Sequence, residues 1–424
     1  MSKPDSHIAQ SSSRRARQGR SAEALEKIAD AVVTILAQEG QGGLTHRRVA
    51  KLAGVSLAAT TYYHRGKFEM IADATQRLLD GYVRAFVRAL TKYQAGTSVV
   101  SDLPALMTKL LTNAAGRHGR TTLAWCEIML DCARTIEGHA LARQWLNKMD
   151  VAWTGLVSAF GVPDPASIVA PAIDTTMGLL FLTLPLKLTA DQILAVFVNE
   201  ENPADAWAVT ARGADGAAPA ARSTAKSRET RDRIIAATTD LLIGGQPGGI
   251  SYSAVAQRAG FATAALSYHF SSIERLVAEA QAQVFARSKD RYRDGLSSIP
   301  GPEAGLDPLA DLTTATYIRE VTEFRSLHLA NYGIWVDAAR KPELRPPVSA
   351  VIFDMIDAWT RQLAAVGAPK RPNYPVLALA HFIGKTIRAL STGATTAELA
   401  TARPEFLTTF RGLAAGSSRL AHAA

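Results

Sequence analysis

Apolar positions recur at helical spacing along most of the chain, and Gly, Pro and short polar runs interrupt them. Ile28, Ala31, Val32, Ile35 and Leu36 share one face of a helix expected over about residues 21–38, which Gln41, Gly42 and Gly43 end. Residues 44–71 then read as two short helices around a tight turn at Gly54. Val49, Leu52 and Ala53 give the first a buried seam, and Val55 plugs the corner. Thr45 and Ser56 are placed to cap the two helices, each hydroxyl accepting from an otherwise orphan backbone N–H. Gly54 ends the first because a left-handed exit costs least without a Cβ. Further breaks near Gly96, residues 116–119, Gly138 and residues 161–163 divide the stretch up to 198 into helices of ordinary length. The expected fold class is all-α.

The pattern occurs twice. Shifted by 206, the sequence lies on itself without a gap: Val49, Ala50, Ala53 and Gly54 meet Val255, Ala256, Ala259 and Gly260. Ala58, Ala59 and Tyr62 recur as Ala264, Ala265 and Tyr268, and Ile28, Ala31 and Leu36 as Ile234, Ala237 and Leu242. The same offset pairs Asp131, Arg134, Trp153, Gly161, Pro163 and Gly178 with Asp337, Arg340, Trp359, Gly367, Pro369 and Gly384. An offset held over some 150 residues implies a duplicated domain, since solenoid periods are only about 20–50 residues.

Two helices around such a turn form a helix-turn-helix, whose second helix enters a DNA major groove. The run Leu-Thr-x-x-x-Val-Ala-x-x-Ala-Gly-Val-Ser at 44–56, then Thr-Thr-Tyr-Tyr at 60–63, resembles the TetR family of bacterial transcriptional regulators. A preceding amphipathic helix sits where that family requires one. The resemblance implies a three-helix DNA-binding head, helices enclosing a ligand cavity, and a last helix pair that joins two subunits as a four-helix bundle. With two copies in one chain, it implies a single-chain pseudo-dimer. The bundle would come from about residues 140–160 and 165–186 with 348–366 and 373–390.

The expected boundaries are a disordered basic arm (1–20), a first head (21–70), a first regulatory region (71–198), a linker (199–227), a second head (228–276) and a second regulatory region (277–424). The Ala/Gly/Pro-rich linker spans up to roughly 95 Å if extended. Arg14, Arg15, Arg17 and Arg20 in the arm either reach phosphates or an adjacent minor groove, or make the tail soluble.

DNA contacts in the first head are expected from Arg20, Thr45, His46, Arg47, Arg48, Ser56, Leu57, Ala58, Thr60, Thr61, Tyr62, Tyr63 and Lys67. Small Ala58 and Ala59 let the backbone approach base edges. Thr60 and Thr61 can bond bases or phosphates and touch thymine methyls. Tyr62 and Tyr63 divide between a phosphate contact and packing, and His64 stands where the family usually places Phe. In the second head the candidates are Ser251, Tyr252, Ser253, Thr263, Ala264, Ser267, Tyr268 and His269. That head keeps Tyr-His-Phe at 268–270, has Ser271 and Glu274 as a potential capping box, and lacks cations where the first has Arg47, Arg48 and Lys67.

Charge follows the heads. Of a net +9, residues 14–92 hold 14 Lys/Arg against 7 Asp/Glu and residues 222–293 hold 11 against 6, leaving the remainder at −3. Phosphate neutralisation demands that distribution. Cys126 and Cys132 exclude a disulfide framework and fit a reduced cytoplasm. The polar, Arg-rich start has no apolar core of a signal peptide. Residues 168–198 are cut by Pro171, Asp174, Pro185, Lys187 and Asp191, which argues against a membrane span.

The partners expected are a double-stranded operator with unlike half-sites and a small-molecule inducer of apolar or aromatic character. Candidate pocket residues, where the copies differ, are Trp125, Cys126 and Met129 against Asn331, Tyr332 and Trp335; ordinary core is the alternative. No cofactor or metal is implied. No P-loop, dinucleotide Gly pattern, His-Glu-x-x-His, Gly-x-Ser-x-Gly or Cys-x-x-Cys supports an enzyme. The rival readings are a protein-binding adaptor with blunted heads and a nucleoid protein without sequence preference.

Overall fold

A computed structural model describes residues 5–198, 203–205, 207, 224–244, 250–296 and 305–415, without the side chains of 5–20, 198, 274, 288–289, 291–296 and 415. Among the described residues the elements are helices and none is a strand. In order they are α1 (Asp5–Glu39), α2 (His46–Ala53), α3 (Leu57–Tyr63), α4 (Lys67–Gln94), α5 (Leu103–Ala115), α6 (Gly119–Cys132), α7 (Ile136–Ala159), α8 (Pro165–Leu186) and α9 (Ala190–Val198). There follow α10 (Ala225–Gly244), α11 (Tyr252–Ala259), α12 (Thr263–His269), α13 (Ile273–Leu296), α14 (Leu306–Thr322), α15 (Arg325–Arg340), α16 (Arg345–Ala365), α17 (Tyr374–Thr392), α18 (Thr396–Ala400) and α19 (Ala402–Ala415). The chain divides into two compact units, residues 1–84 with 120–128, and residues 85–119 with 129–424.

In the first unit the expected face of α1 is inside: Ile28, Ala31, Val32, Ile35 and Leu36 are all buried. Helix α1 lies against α2, whose Val49 is buried, and Met70, Ile71 and Ala74 of α4 are buried as well. Helix α1 reaches upstream to Asp5, well beyond the start expected at Ser21. Leu52, read as part of the α2 seam, is instead 53% exposed, because the short helix turns only its Val49–Ala50 edge inward.

The second unit holds the second head, whose core is Ile234, Ile235, Leu241, Val255, Leu266, Phe270 and Leu276. Beyond it, α8 lies against α17, and α7 and α16 each touch both. Helix α8 runs unbroken through Pro171. Its burial outweighs the lost hydrogen bond and ring clash of an internal proline, about 3 kcal/mol. By length and hydropathy α8 could cross a membrane, but 72% of its most apolar window is buried inside the chain. Trp153 and Trp359 are core anchors: Trp153 stacks on Phe86 at 5.8 Å, and Trp359 meets Phe410 edge-on at 5.7 Å.

Most of the expected linker 199–227 lies outside the described residues. Trp207, within it, is fully buried, and its Nε1 donates to the Gln192 carbonyl at 3.0 Å. The next helix opens at Ala225, with Thr224 Oγ1 accepting from the Ser227 N–H at 3.2 Å.

Candidate nucleic-acid interface

Both heads build the same turn from the same local chemistry. Thr45 accepts from the Arg48 N–H and Ser251 from the Ala254 N–H. Gly54 and Gly260 take up the left-handed conformation, with φ 64° and 72°, and each donates back to the carbonyl four residues earlier. Ser56 caps α3 by accepting from the Ala59 N–H, but its counterpart Ala262 has no side chain to do so for α12. That lost cap was readable in the sequence as a Ser-to-Ala difference between the copies.

The outward faces of α3 and α12 correspond. Tyr62 and Tyr268 are each 83% exposed. Leu57, Ala58 and Thr61 are exposed on α3, as are Thr263, Ala264 and Ser267 on α12. Thr60 is a correction: it is fully buried, and its Oγ1 donates to the Leu57 carbonyl and lies 3.3 Å from His46 Nδ1. It fills the core slot that Leu266 fills in the second head, so it faces away from any duplex. His46 is correspondingly drawn inward. Tyr63 packs, its hydroxyl donating to Ser21 Oγ at 3.1 Å, which leaves Tyr62 as the exposed one of the pair. Tyr252 also turns inward, donating to the Phe270 carbonyl at 3.2 Å, and His269 is half-buried.

The cations divide unequally. Arg47 and Lys51 are exposed on α2. Arg48 pairs with Glu39, and Lys67 Nζ donates to the Gln41 carbonyl at 2.6 Å, so both first hold their own head together. In the second head Arg231 grips Glu279 and lies 4.4 Å over the Phe270 ring, Arg233 stacks on Phe261, and Arg258 pairs with Asp240 at 3.0 Å. Ser272, not Ser271, caps α13 by accepting from the Arg275 N–H at 3.2 Å, because the helix opens one residue later than a Ser271 cap requires. The side chains of Glu274 and of Arg14, Arg15, Arg17 and Arg20 lie outside the described residues. His64, in the place of Phe270, is buried; its Nε2 stands 3.5 Å from Asp73 Oδ2 and its Nδ1 has no partner.

The six candidate pocket residues are all buried. Trp125 and Cys126 belong to the first unit; Met129, Asn331, Tyr332 and Trp335 belong to the second. Tyr332 meets Phe181 and Trp335 edge-on at 5.8 and 5.5 Å. Burial, then the nearby Glu320 carboxylate, pushes its phenol above the ordinary range. The sequence reading missed the buried pair that Glu320 makes with His328 beside this cluster. Burial, then Asp131, pushes the Cys132 thiol up to about 12, so it is protonated at neutral pH. Among the described residues no three His, Cys, Asp or Glu side chains converge to hold a metal.

The α8–α17 crossing has a reciprocal geometry. A Cβ on Gly178 would overlap the Ala380 carbonyl, and one on Gly384 would overlap the Asp174 carbonyl. Thr175 Oγ1 faces His381 Nδ1 at 3.5 Å, and these two residues are 206 apart. Half-buried Arg388 donates through Nε to buried Asp174 Oδ1 at 2.5 Å, with Asp150 Oδ2 3.6 Å from its Nη1. Burial raises the Asp150 carboxyl above its usual range, and Arg388 opposes that rise.

Residues 304–416 match the family model described as Tetracyclin repressor-like, C-terminal domain, which supports a TetR-like chain. The matched segment covers all of α14–α19, within the second regulatory region. No curated protein matches the chain.

Proposed function

We propose that the chain is a sequence-specific DNA-binding transcriptional regulator, a ligand-responsive repressor that acts as a single-chain pseudo-dimer. One observation carries this reading: two helix-turn-helix heads in a single chain, with equivalent caps and turns and equally exposed Tyr62 and Tyr268. A twofold dimer of identical heads requires a near-palindromic site. Here Leu57, Thr61 and Arg47 on one head stand against Thr263, Ser267 and Ser253 on the other, so the operator has unlike half-sites.

The pairing reading is supported by the crossing of α8 and α17. Asp174 and Ala380 are equivalent by the 206-residue offset, and so are Gly178 and Gly384. Gly178 therefore meets the equivalent of Asp174, while Gly384 meets Asp174 itself, which is the reciprocity of an isologous contact. An inducer would act by binding better to a conformation in which the heads are wrongly set for DNA, and only by as much as its affinities for the two conformations differ.

Selection of bound sequences from random DNA, repeated with α3 or α12 disrupted, tests the proposal. Two different half-sites, each lost with its own head, are expected. A perfect palindrome would refute the unlike half-sites. Steep salt dependence with no sequence preference would favour a nucleoid protein instead.

A further inference from the structure

The ion pairs between the copies described above have no charged counterpart at the positions 206 residues away. Asp150 and Asp174 come from the first copy and Arg388 from the second. At the equivalent positions stand Ile356, Ala380 and Leu182, all apolar. One side of the pseudo-axis thus carries an ion cluster around the buried Asp174 carboxylate, and the equivalent positions on the other side are apolar. A second contact is equally one-sided, with the charges the other way round. Arg143 of α7 forks onto Glu398 at 2.8 and 3.2 Å and donates to the carbonyls of Thr392 and Gly393. Its equivalent is Ser349, and that of Glu398 is Gln192, neither of them charged.

Consider each half against its own like. An α8 laid on a second α8 would bury Asp174 opposite Leu182, with no cation to meet it. An α17 laid on a second α17 would bury Arg388 opposite Ala380, with no acid. Removing one partner of a buried ion pair is strongly unfavourable, because the remaining charge loses water and gains nothing. Opposite charges need not add net stability over an apolar seam, but they penalise the wrong partner.

We infer that the α7–α8 face of the first copy is a binding surface for the α16–α17 face of the second copy and rejects like faces. Each half has lost the self-complementarity of a true homodimer subunit. The first copy's face therefore accepts the unlike half, from its own chain or a further copy, and not a second first-copy face. This rests on the pairing reading above.

Charge reversal in the full chain tests the inference. R388E and D150N/D174R are made separately, combined in one chain, and co-expressed as two differently tagged chains. Each separate variant should lose about 5 °C or more in melting temperature. The combined chain should recover most of that loss and remain a 45.3 kDa monomer by light scattering. Tandem affinity purification of the co-expressed chains should yield a mixed pair of twice that mass. Wild-type melting of both separate variants, no recovery in the combined chain, or no mixed pair would each overturn the inference. A T175C/H381C chain, otherwise unchanged, separates the two levels. If it fails to form an internal cross-link, the pairing reading itself fails. If it cross-links while the reversed charges show no rescue, only the choice of partner is refuted.

Discussion

The Ala380 carbonyl stands where a Cβ on Gly178 would project, and the Asp174 carbonyl does the same at Gly384. The obstruction is backbone, so it cannot swing aside as a side-chain end could. A single added methyl must push α8 and α17 apart along a buried crossing. We expect Gly178→Ala and Gly384→Ala each to destabilise the chain by about 2 kcal/mol or more. The double variant should fall short of the sum, since one displacement of the helices accommodates both methyls. Denaturant melts of the four chains measure this, and wild-type stability for either single variant would contradict the close approach.

His64 occupies the position that Phe270 fills in the second head, buried and with Nδ1 unpartnered. Phe270 is packed into an apolar cluster and carries the Arg231 guanidinium on its face. His64→Phe should therefore stabilise the first head by about 1 kcal/mol, the size typical of such repairs. Asp73 keeps its contact to Arg77 at 3.3 Å, so the substitution leaves no orphaned carboxylate. A higher melting temperature with unchanged operator affinity is the outcome to look for.

Helix periodicity, capping residues and the 206-residue offset were all legible because they are local or linear properties. The burial of Ile28, Val32, Leu36 and Val49, and the Thr45 and Ser56 caps, follow from spacing alone. Which edge of a two-turn helix faces inward is not local, and so Leu52 and Thr60 were assigned to the wrong sides. On a seven-residue helix such as α3 a single residue's rotation exchanges core for surface. The Arg388–Asp174 pair joins residues 214 apart, and the Glu320–His328 pair joins neighbouring helices; neither has a spacing signature.

Thr60 and Tyr62 lie two residues apart on α3 and should respond oppositely in DNA binding. Thr60→Val keeps the volume of a buried side chain whose hydroxyl bonds only within the head, so operator affinity should stay within about twofold. Tyr62→Ala removes an exposed ring and hydroxyl from the face proposed to meet the duplex, and should weaken binding by about tenfold, one such contact being worth roughly 1–3 kcal/mol. Arg47→Ala should weaken all sequences nearly equally and lower the salt slope by about 1. If Thr60→Val alone abolished binding, the orientation of α3 described above would be wrong.

Acid should loosen the seam through His381. Its ring is buried between Thr175 and Thr409, and burial lowers its pKa to about 4, with Lys385 adding to the effect and Asp174 and Glu405 opposing it. In the unfolded chain a histidine titrates near 6.5, so below that pH the unfolded state takes up a proton that the folded state refuses. Stability is therefore whole above about pH 6.5, falls as the pH drops, and levels off for this group below about pH 4. The full loss is on the order of 3 kcal/mol. His381→Leu should flatten that part of the curve while the carboxylates keep their own contribution at lower pH. The check is unfolding free energy measured from pH 7.5 to 4 for both chains; parallel curves would show that His381 does not carry the acid sensitivity.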